Sequence, residues 1–135
     1  MPSSKETEIL IVEDDALVRY LLGTLVAQWR PGIVISHAAS VAEARVVITE
    51  RRPRVVLMDI GLPDGDGIAL TREVCDAAPG TKVIMVTFHK GEQYEWMARE
   101  AGAFAYVCKE EVDSALRPQL ERALGGSGKE RVDEA

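Results

Sequence analysis

The sequence predicts a doubly wound α/β fold, in which five parallel strands in the order 2-1-3-4-5 carry helices on both faces. Short apolar runs of about four residues alternate with longer amphipathic runs along the chain, and Gly, Pro or Asp lies at many of the junctions. The chain has 135 residues, of which 47% are hydrophobic. A chain of this size can bury one core, so we expect a single domain.

The strands are predicted from short apolar runs that have turn residues at both ends. The central run is preceded by Pro53 and is followed by a segment rich in Gly, Pro and Asp, which is typical of a buried parallel strand. Right-handed crossovers through the helices then place all five strands in one sheet. The predicted strands are Ile9–Val12, Ile33–Ser36, Val55–Met58, Val83–Val86 and Phe104–Val107.

The helices are predicted from apolar residues at helical spacing and from capping signals. Ser40 with Glu43 three residues later has the spacing of a capping box. Pro118 would cost about 3 kcal/mol inside a helix, so we place it in the first turn of the last helix, after an irregular or tight turn at Asp113–Arg117. The predicted helices are Ala16–Trp29, Ser40 to about Glu50, Ile68–Ala78, Glu92–Ala101 and a last helix that ends before Gly125.

Composition narrows the range of functions. The net charge is -6, and the one dense basic group, at residues 51–54, is expected to be a solvated helix end, so we expect no direct contact with nucleic acid. No apolar run has the length of a membrane span and residues 1–8 do not resemble a signal peptide, so we expect a soluble, cytoplasmic protein. Cys75 and Cys108 are expected to be reduced packing residues.

We expect a disordered segment at residues 1–7, a folded domain at residues 8–124 and a flexible tail or linker at residues 125–135.

Acidic side chains follow two strands that the predicted order makes neighbours. Asp59 follows the third strand, and Glu13 and Asp14 follow the first. The carboxyl ends of the strands in such a sheet form the ligand-binding edge, where clustered carboxylates repel one another unless a cation is present. Mg²⁺ takes such oxygen ligands, so we expect a magnesium site here. Asp15 is either part of this cluster or simply the N-cap of the first helix.

The fourth and fifth strands add a hydroxyl and an ammonium group at the same edge. Thr87 follows the predicted fourth strand and Lys109 follows the fifth. Either residue alone would be unremarkable at a strand end. Together with the acids, they make a metal site with donors for the charge that develops during phosphoryl transfer.

These residues, with the segments Asp59–Gly67 and Gly102–Lys109, resemble the receiver domain of bacterial two-component response regulators over residues 8–124. The resemblance implies that a sensor histidine kinase or phosphotransfer protein passes a phosphoryl group from a phosphohistidine to Asp59. It also implies that this domain is a phosphoacceptor rather than an enzyme. The segment Thr87-Phe88-His89 is similar to that of receivers attached to helix-turn-helix DNA-binding domains.

The resemblance further implies a role for each matching residue. The magnesium ligands are Asp14, Asp59 and the carbonyl of Gly61, with Glu13 acting through water. Thr87 and Lys109 hold the phosphoryl oxygens, and Thr87 and Tyr106 form the switch. The switched surface is made by the fourth helix, the fifth strand and the last helix, and we expect homodimer formation there. One alternative is that Tyr94 and Trp96 both belong to that interface. The other is that Tyr94 belongs to the core and Trp96 is an isolated exposed aromatic residue.

The chain departs from the family pattern at two site positions. Glu13 stands where Asp is more common, which lengthens the side chain by one methylene. Glu110 follows Lys109 where many receivers have Pro, so we expect no cis peptide bond there.

Three other classes of function are alternatives to this one. A flavodoxin-like nucleotide binder needs a loop rich in Gly, Ser or Thr after the first strand, where this chain has acids. An aspartate-nucleophile phosphatase needs a general acid two residues after its nucleophile, where this chain has Gly61. A receiver-fold interaction module that works without phosphorylation remains open.

Overall fold

The computed structural model describes residues 8–125, and the predicted fold class is confirmed. Five parallel strands form one sheet in the order β2-β1-β3-β4-β5. The predictions for residues 1–7 and 126–135 lie outside the described residues. The strands are β1 (Ile9–Val12), β2 (Ile35–Ala38), β3 (Val55–Met58), β4 (Lys82–Thr87) and β5 (Ala105–Cys108). The helices are α1 (Ala16–Trp29), α2 (Val41–Arg51), α3 (Gly67–Ala77), α4 (Glu92–Glu100) and α5 (Arg117–Ala123).

The sheet separates two apolar cores. Successive side chains of a strand point to opposite faces, so β1 gives Leu10 to one core and Ile11 to the other. Helices α2, α3 and α4 cover the first core, whereas α1 and α5 cover the second. Burial on both faces explains why β1 and β3 are continuous apolar runs with no alternation.

The register of the central strands sets the position of the acids. Val12, the last residue of β1, pairs with Met58, the last residue of β3. The residues that follow, Glu13 and Asp59, therefore leave the sheet at the same level.

The predicted bounds of β2 are wrong by two residues. The structure pairs Ile9 with Ile35, whereas the carbonyl of Val34 accepts the N–H groups of Glu8 and Ile9 at the entrance to the sheet. β2 is a partly exposed edge strand that contains the polar His37. An apolar run is therefore a poor guide to where this strand begins and ends. The bounds of β4, β5 and α3 differ from the predictions by one residue at each end, and α4 ends one residue earlier than predicted.

A short antiparallel hairpin after β3 was not predicted. It pairs Gly61–Leu62 with Gly65–Asp66, in a segment whose Gly, Pro and Asp content predicts only a turn. The carboxylate of Asp64, between the two hairpin strands, accepts the backbone N–H groups of Val41 at 2.7 Å and Ala42 at 3.0 Å. The hairpin thus caps the start of α2 from another part of the chain.

The irregular approach to α5 was predicted and is confirmed. Residues 109–111 form a 3₁₀ turn and residues 112–116 form a π turn, which is wider than an α-helical turn. α5 then begins with Pro118 in its first turn, where the missing N–H costs little. At the other end of α5, the Arg54 guanidinium donates to the carbonyl of Leu124. This bond ties the end of α5 to the edge of the sheet where β3 begins.

None of the helices in the described part of the chain has the length and apolar character needed to cross a lipid bilayer.

Candidate functional site

Three acids meet where β1 and β3 end. Each of Glu13, Asp14 and Asp59 offers a carboxylate oxygen, and these oxygens lie within 4.8 Å of one another. Glu13 is 1% exposed and Asp59 is 7% exposed, whereas Asp14 is open to solvent. The cluster therefore has a buried side and an open side.

The backbone around Asp59 fixes its position. The Asp59 N–H donates to the carbonyl of Val12 at 3.1 Å, and its Oδ1 atom accepts the N–H of Ile60 at 2.7 Å. The first residue of α3 packs against this turn, because a Cβ atom on Gly67 would lie 1.9 Å from the Asp59 carbonyl oxygen. Only glycine fits there without a shift of the backbone.

Glu13 is held on both of its oxygens. Its Oε2 atom accepts the N–H of Asp15 at 3.0 Å, and its Oε1 atom lies 2.5 Å from the Nζ atom of Lys109. Burial raises the pKa of Glu13, although the hydrogen bonds from Lys109 and Asp15 act in the opposite direction. The buried side of the cluster therefore depends on the lysine for its charge balance.

Lys109 joins the two buried acids. Its Nζ atom donates to Oδ2 of Asp59 at 2.8 Å while it contacts Glu13. Burial lowers the pKa of Lys109, but the hydrogen bonds and attraction of Asp59 and Glu13 outweigh it, so the net pKa is raised. The exposed ring of Phe88 has its centroid 5.0 Å from Nζ, which adds a cation–π contact.

Asp15 caps a helix. Its Oδ1 atom accepts the N–H groups of Leu17 at 2.9 Å and Val18 at 3.1 Å. The sequence left two roles open for Asp15, and the structure shows that it is the N-cap of α1.

Thr87 ends β4 and is fully buried. Its Oγ1 atom lies 3.1 Å from Nδ1 of His89 and also accepts the N–H of His89 at 3.2 Å. His89 was not among the predicted site residues. The sequence indicates only that His89 lies two residues after Thr87. Whether its ring contacts the Thr87 hydroxyl depends on the conformation of the loop.

Tyr106 lies on β5 and contacts the same loop. Its hydroxyl donates to the carbonyl of His89 at 2.6 Å, and burial raises its pKa to about 12. The ring of Tyr94 meets the His89 ring edge-on with centroids 4.9 Å apart. Tyr94 also packs against the core, whereas Trp96 on α4 is 64% exposed.

The donor set fits a magnesium ion. Three carboxylates within reach of one another are hard oxygen ligands of the kind that Mg²⁺ prefers, and the exposed Asp14 leaves room for the waters that Mg²⁺ usually keeps. Gly61 lies two residues after Asp59 and is exposed at the start of the hairpin.

The described residues include no cis peptide bond, so the Lys109–Glu110 bond is trans.

Comparisons with known proteins agree with this geometry. The family model for the response regulator receiver domain matches residues 9–121. The oxygen regulatory protein NreC of Staphylococcus aureus (strain JH9) is 31% identical over 110 residues, which cover 81% of this chain and 51% of that protein. This chain therefore spans about half the length of the curated relatives it matches.

Solved structures are also similar. A two-component response regulator of the LuxR family from Aurantimonas sp. SI85-9A1 aligns with a TM-score of 0.82 and 33% identity, over 90% of this chain and 86% of that one. A DNA-binding response regulator of the LuxR family from Staphylococcus aureus aligns with a TM-score of 0.79 and 27% identity, over 87% and 98% of the two chains.

Proposed function

The chain belongs to the response regulator receiver domain family, and we propose that it accepts a phosphoryl group on Asp59 from a sensor histidine kinase or a phosphotransfer protein. The observation that carries this proposal is the position of the Asp59 carboxylate, 2.8 Å from the Lys109 ammonium and beside two further acids. A nucleophilic carboxylate next to a cation and a metal-binding cluster is suited to phosphoryl transfer.

In the proposed reaction, a carboxylate oxygen of Asp59 forms a bond to phosphorus as the bond from phosphorus to the donor imidazole nitrogen breaks. The imidazole leaves with the electron pair of that bond, and the product is an aspartyl phosphate. The Ile60 N–H holds the other carboxylate oxygen in place. The proposal assigns Lys109 and Thr87 to the phosphoryl oxygens, where their donors stabilise the negative charge.

The proposed magnesium ligands are Asp14, Asp59 and the carbonyl of Gly61, with Glu13 acting through water. Bound Mg²⁺ would supply positive charge that offsets the acids and the phosphoryl oxygens. Glu13 already binds Lys109 and the Asp15 N–H, and the exposed Asp14 is the more accessible acid. This difference supports the division of roles between the two acids.

The proposed output is a change of protein interactions. Phosphorylation would draw the Thr87 hydroxyl towards the phosphoryl group and let Tyr106 respond, which alters the surface made by α4, β5 and α5. The exposed Trp96 on α4 supports a contact there, and we propose a homodimer through this surface.

The proposed receiver domain comprises residues 8–124, and its proposed location is the cytoplasm. We propose no direct contact between this domain and nucleic acid.

Incubation with acetyl phosphate and Mg²⁺, followed by intact mass measurement, tests the phosphoacceptor assignment. The wild-type protein should gain one phosphoryl group, and Asp59→Asn should gain none. Asp76→Asn on the exposed face of α3 is the matched control and should behave as wild type. An equal mass gain in Asp59→Asn would refute the assignment. An unmodified wild-type protein would instead favour a receiver-fold module that works without phosphorylation.

A further inference from the structure

The side chain of His89 makes contacts that the proposed function does not use. Its Nδ1 atom lies 3.1 Å from Oγ1 of Thr87, and its ring packs edge-on against Tyr94. Its Cε1 atom would lie 3.8 Å from a Cβ atom placed on Gly61. The ring therefore lies between the end of β4 and the segment that follows Asp59.

The direction of the Thr87–His89 hydrogen bond follows from counting donors. The backbone N–H of His89 already donates to Oγ1 of Thr87. Thr87 is 0% exposed, so its hydroxyl proton has no access to water. Within residues 8–125, the acceptor within hydrogen-bond distance of that hydroxyl is Nδ1 of His89. A buried hydroxyl without an acceptor is unfavourable, which favours the arrangement in which the hydroxyl donates to Nδ1 and a neutral ring carries its proton on Nε2.

A hydroxyl group has one proton to donate. Under the proposed function, Thr87 must donate that proton to a phosphoryl oxygen, and it cannot do so while it donates to His89. The two acceptors therefore compete for one donor.

We propose that His89 is a positioning residue that holds the Thr87 hydroxyl in the unphosphorylated protein and opposes its transfer to the phosphoryl group. The inference rests on the proposed phosphorylation of Asp59. His89 is not a catalytic residue, because it acts through Thr87. Its side chain sets how readily the switch responds.

Two substitutions distinguish the role of the Nδ1 acceptor from the role of the aromatic ring of His89. His89→Phe keeps an aromatic ring beside Tyr94 but removes the acceptor, whereas His89→Asn keeps an acceptor oxygen near the position of Nδ1. Removing one competing hydrogen bond should speed the phosphorylation of Asp59 by acetyl phosphate roughly two- to tenfold in His89→Phe. His89→Asn should react at close to the wild-type rate. Acceleration by both substitutions, or by neither, would overturn the proposal.

A double-mutant cycle tests whether His89 acts through Thr87. In a Thr87→Val background there is no hydroxyl to hold, so His89→Phe should leave the phosphorylation rate unchanged. An equal acceleration in both backgrounds would overturn the proposal, because the effect would then bypass Thr87.

Nitrogen NMR of the imidazoles tests the contact without any phosphorylation. The chain has two histidines, and His37→Gln assigns their signals. The Nδ1 signal of His89 should be that of an unprotonated acceptor and should shift when Thr87 is replaced by Val. If the wild-type protein fails to gain a phosphoryl group, the proposed function fails while this signal still reports the hydrogen bond. If phosphorylation occurs but the signal does not respond to Thr87→Val, the inference about His89 alone is wrong.

Discussion

Lys109 donates a 2.8 Å hydrogen bond to Asp59, a residue 50 positions earlier in the chain. The same ammonium group balances Glu13, so Lys109→Met would leave two mostly buried carboxylates without a cation. We expect the free energy of unfolding to fall by about 2–3 kcal/mol in EDTA, below the full cost of breaking a buried pair because one side of the site is open to water. Adding Mg²⁺ should restore part of this loss, as measured by urea unfolding. An equal loss with and without Mg²⁺ would contradict the prediction.

Asp14 should contribute more to divalent-metal binding than Glu13. A direct carboxylate ligand counts for more than one that acts through water, and Asp14 is the exposed acid of the cluster. Calorimetric titration with Mg²⁺ should therefore show a larger loss of affinity in Asp14→Asn than in Glu13→Gln. Equivalent losses, or intact binding in Asp14→Asn, would show that the division of roles is wrong.

Gly67 should tolerate no side chain. A Cβ atom there would lie 1.9 Å from the Asp59 carbonyl oxygen, so Gly67→Ala must displace the backbone of Asp59 or of α3. We expect a loss of about 3 kcal/mol in the free energy of unfolding. Gly80→Ala is the matched control, since a Cβ atom there meets nothing within 4 Å. Similar urea midpoints for the two variants would contradict the prediction.

Asp64 should make stability depend on pH. Its hydrogen bonds from Val41 and Ala42 lower the pKa of its carboxyl below the ordinary 3.8. A carboxylate with a lower pKa in the folded state contributes stability above its unfolded pKa and loses that contribution as the pH falls through its folded pKa. Asp64→Asn should therefore lower the urea midpoint at neutral pH, and the difference from wild type should shrink as the pH falls below 3.8. Asp76→Asn is the control, and a constant difference for Asp64→Asn would contradict the prediction.

Thr87→Ala should separate phosphorylation from its output. Without the hydroxyl, one donor to the phosphoryl group is lost, and the phosphorylation rate of Asp59 should fall about tenfold. A ligand biases two states only through its differential contacts with them, so the change in self-association should be lost. Sedimentation of wild type and Thr87→Ala, each with and without beryllofluoride as a phosphoryl mimic, measures this. Equal responses in both proteins would show that the signal bypasses Thr87.

Much of the architecture could be predicted because buried parallel strands are distinctive in sequence. The apolar runs of β1 and β3 are bounded by turn residues, and the topology then brings Glu13, Asp14 and Asp59 together. β2 is harder to place, because an edge strand needs fewer apolar residues.

The missed contacts depend on conformation rather than on composition. The cap that Asp64 provides joins residues more than twenty positions apart, and nothing in the local sequence of α2 indicates it. The contact between His89 and Thr87 requires one particular loop and ring orientation. The roles of Thr87, Lys109 and Tyr106 in phosphorylation stay predictions.

The bond from Arg54 to the Leu124 carbonyl sets the separation between the end of α5 and Asp59. It holds the end of α5 at the edge of the sheet where β3 begins, whereas Asp59 lies at the edge where β3 ends. The four residues of β3 span about 13 Å at roughly 3.3 Å per residue. The end of α5 thus lies on the side of the sheet remote from the acidic cluster. Under the proposed function, a change at Asp59 would therefore reach the end of α5 as a displacement of the elements that lie between them.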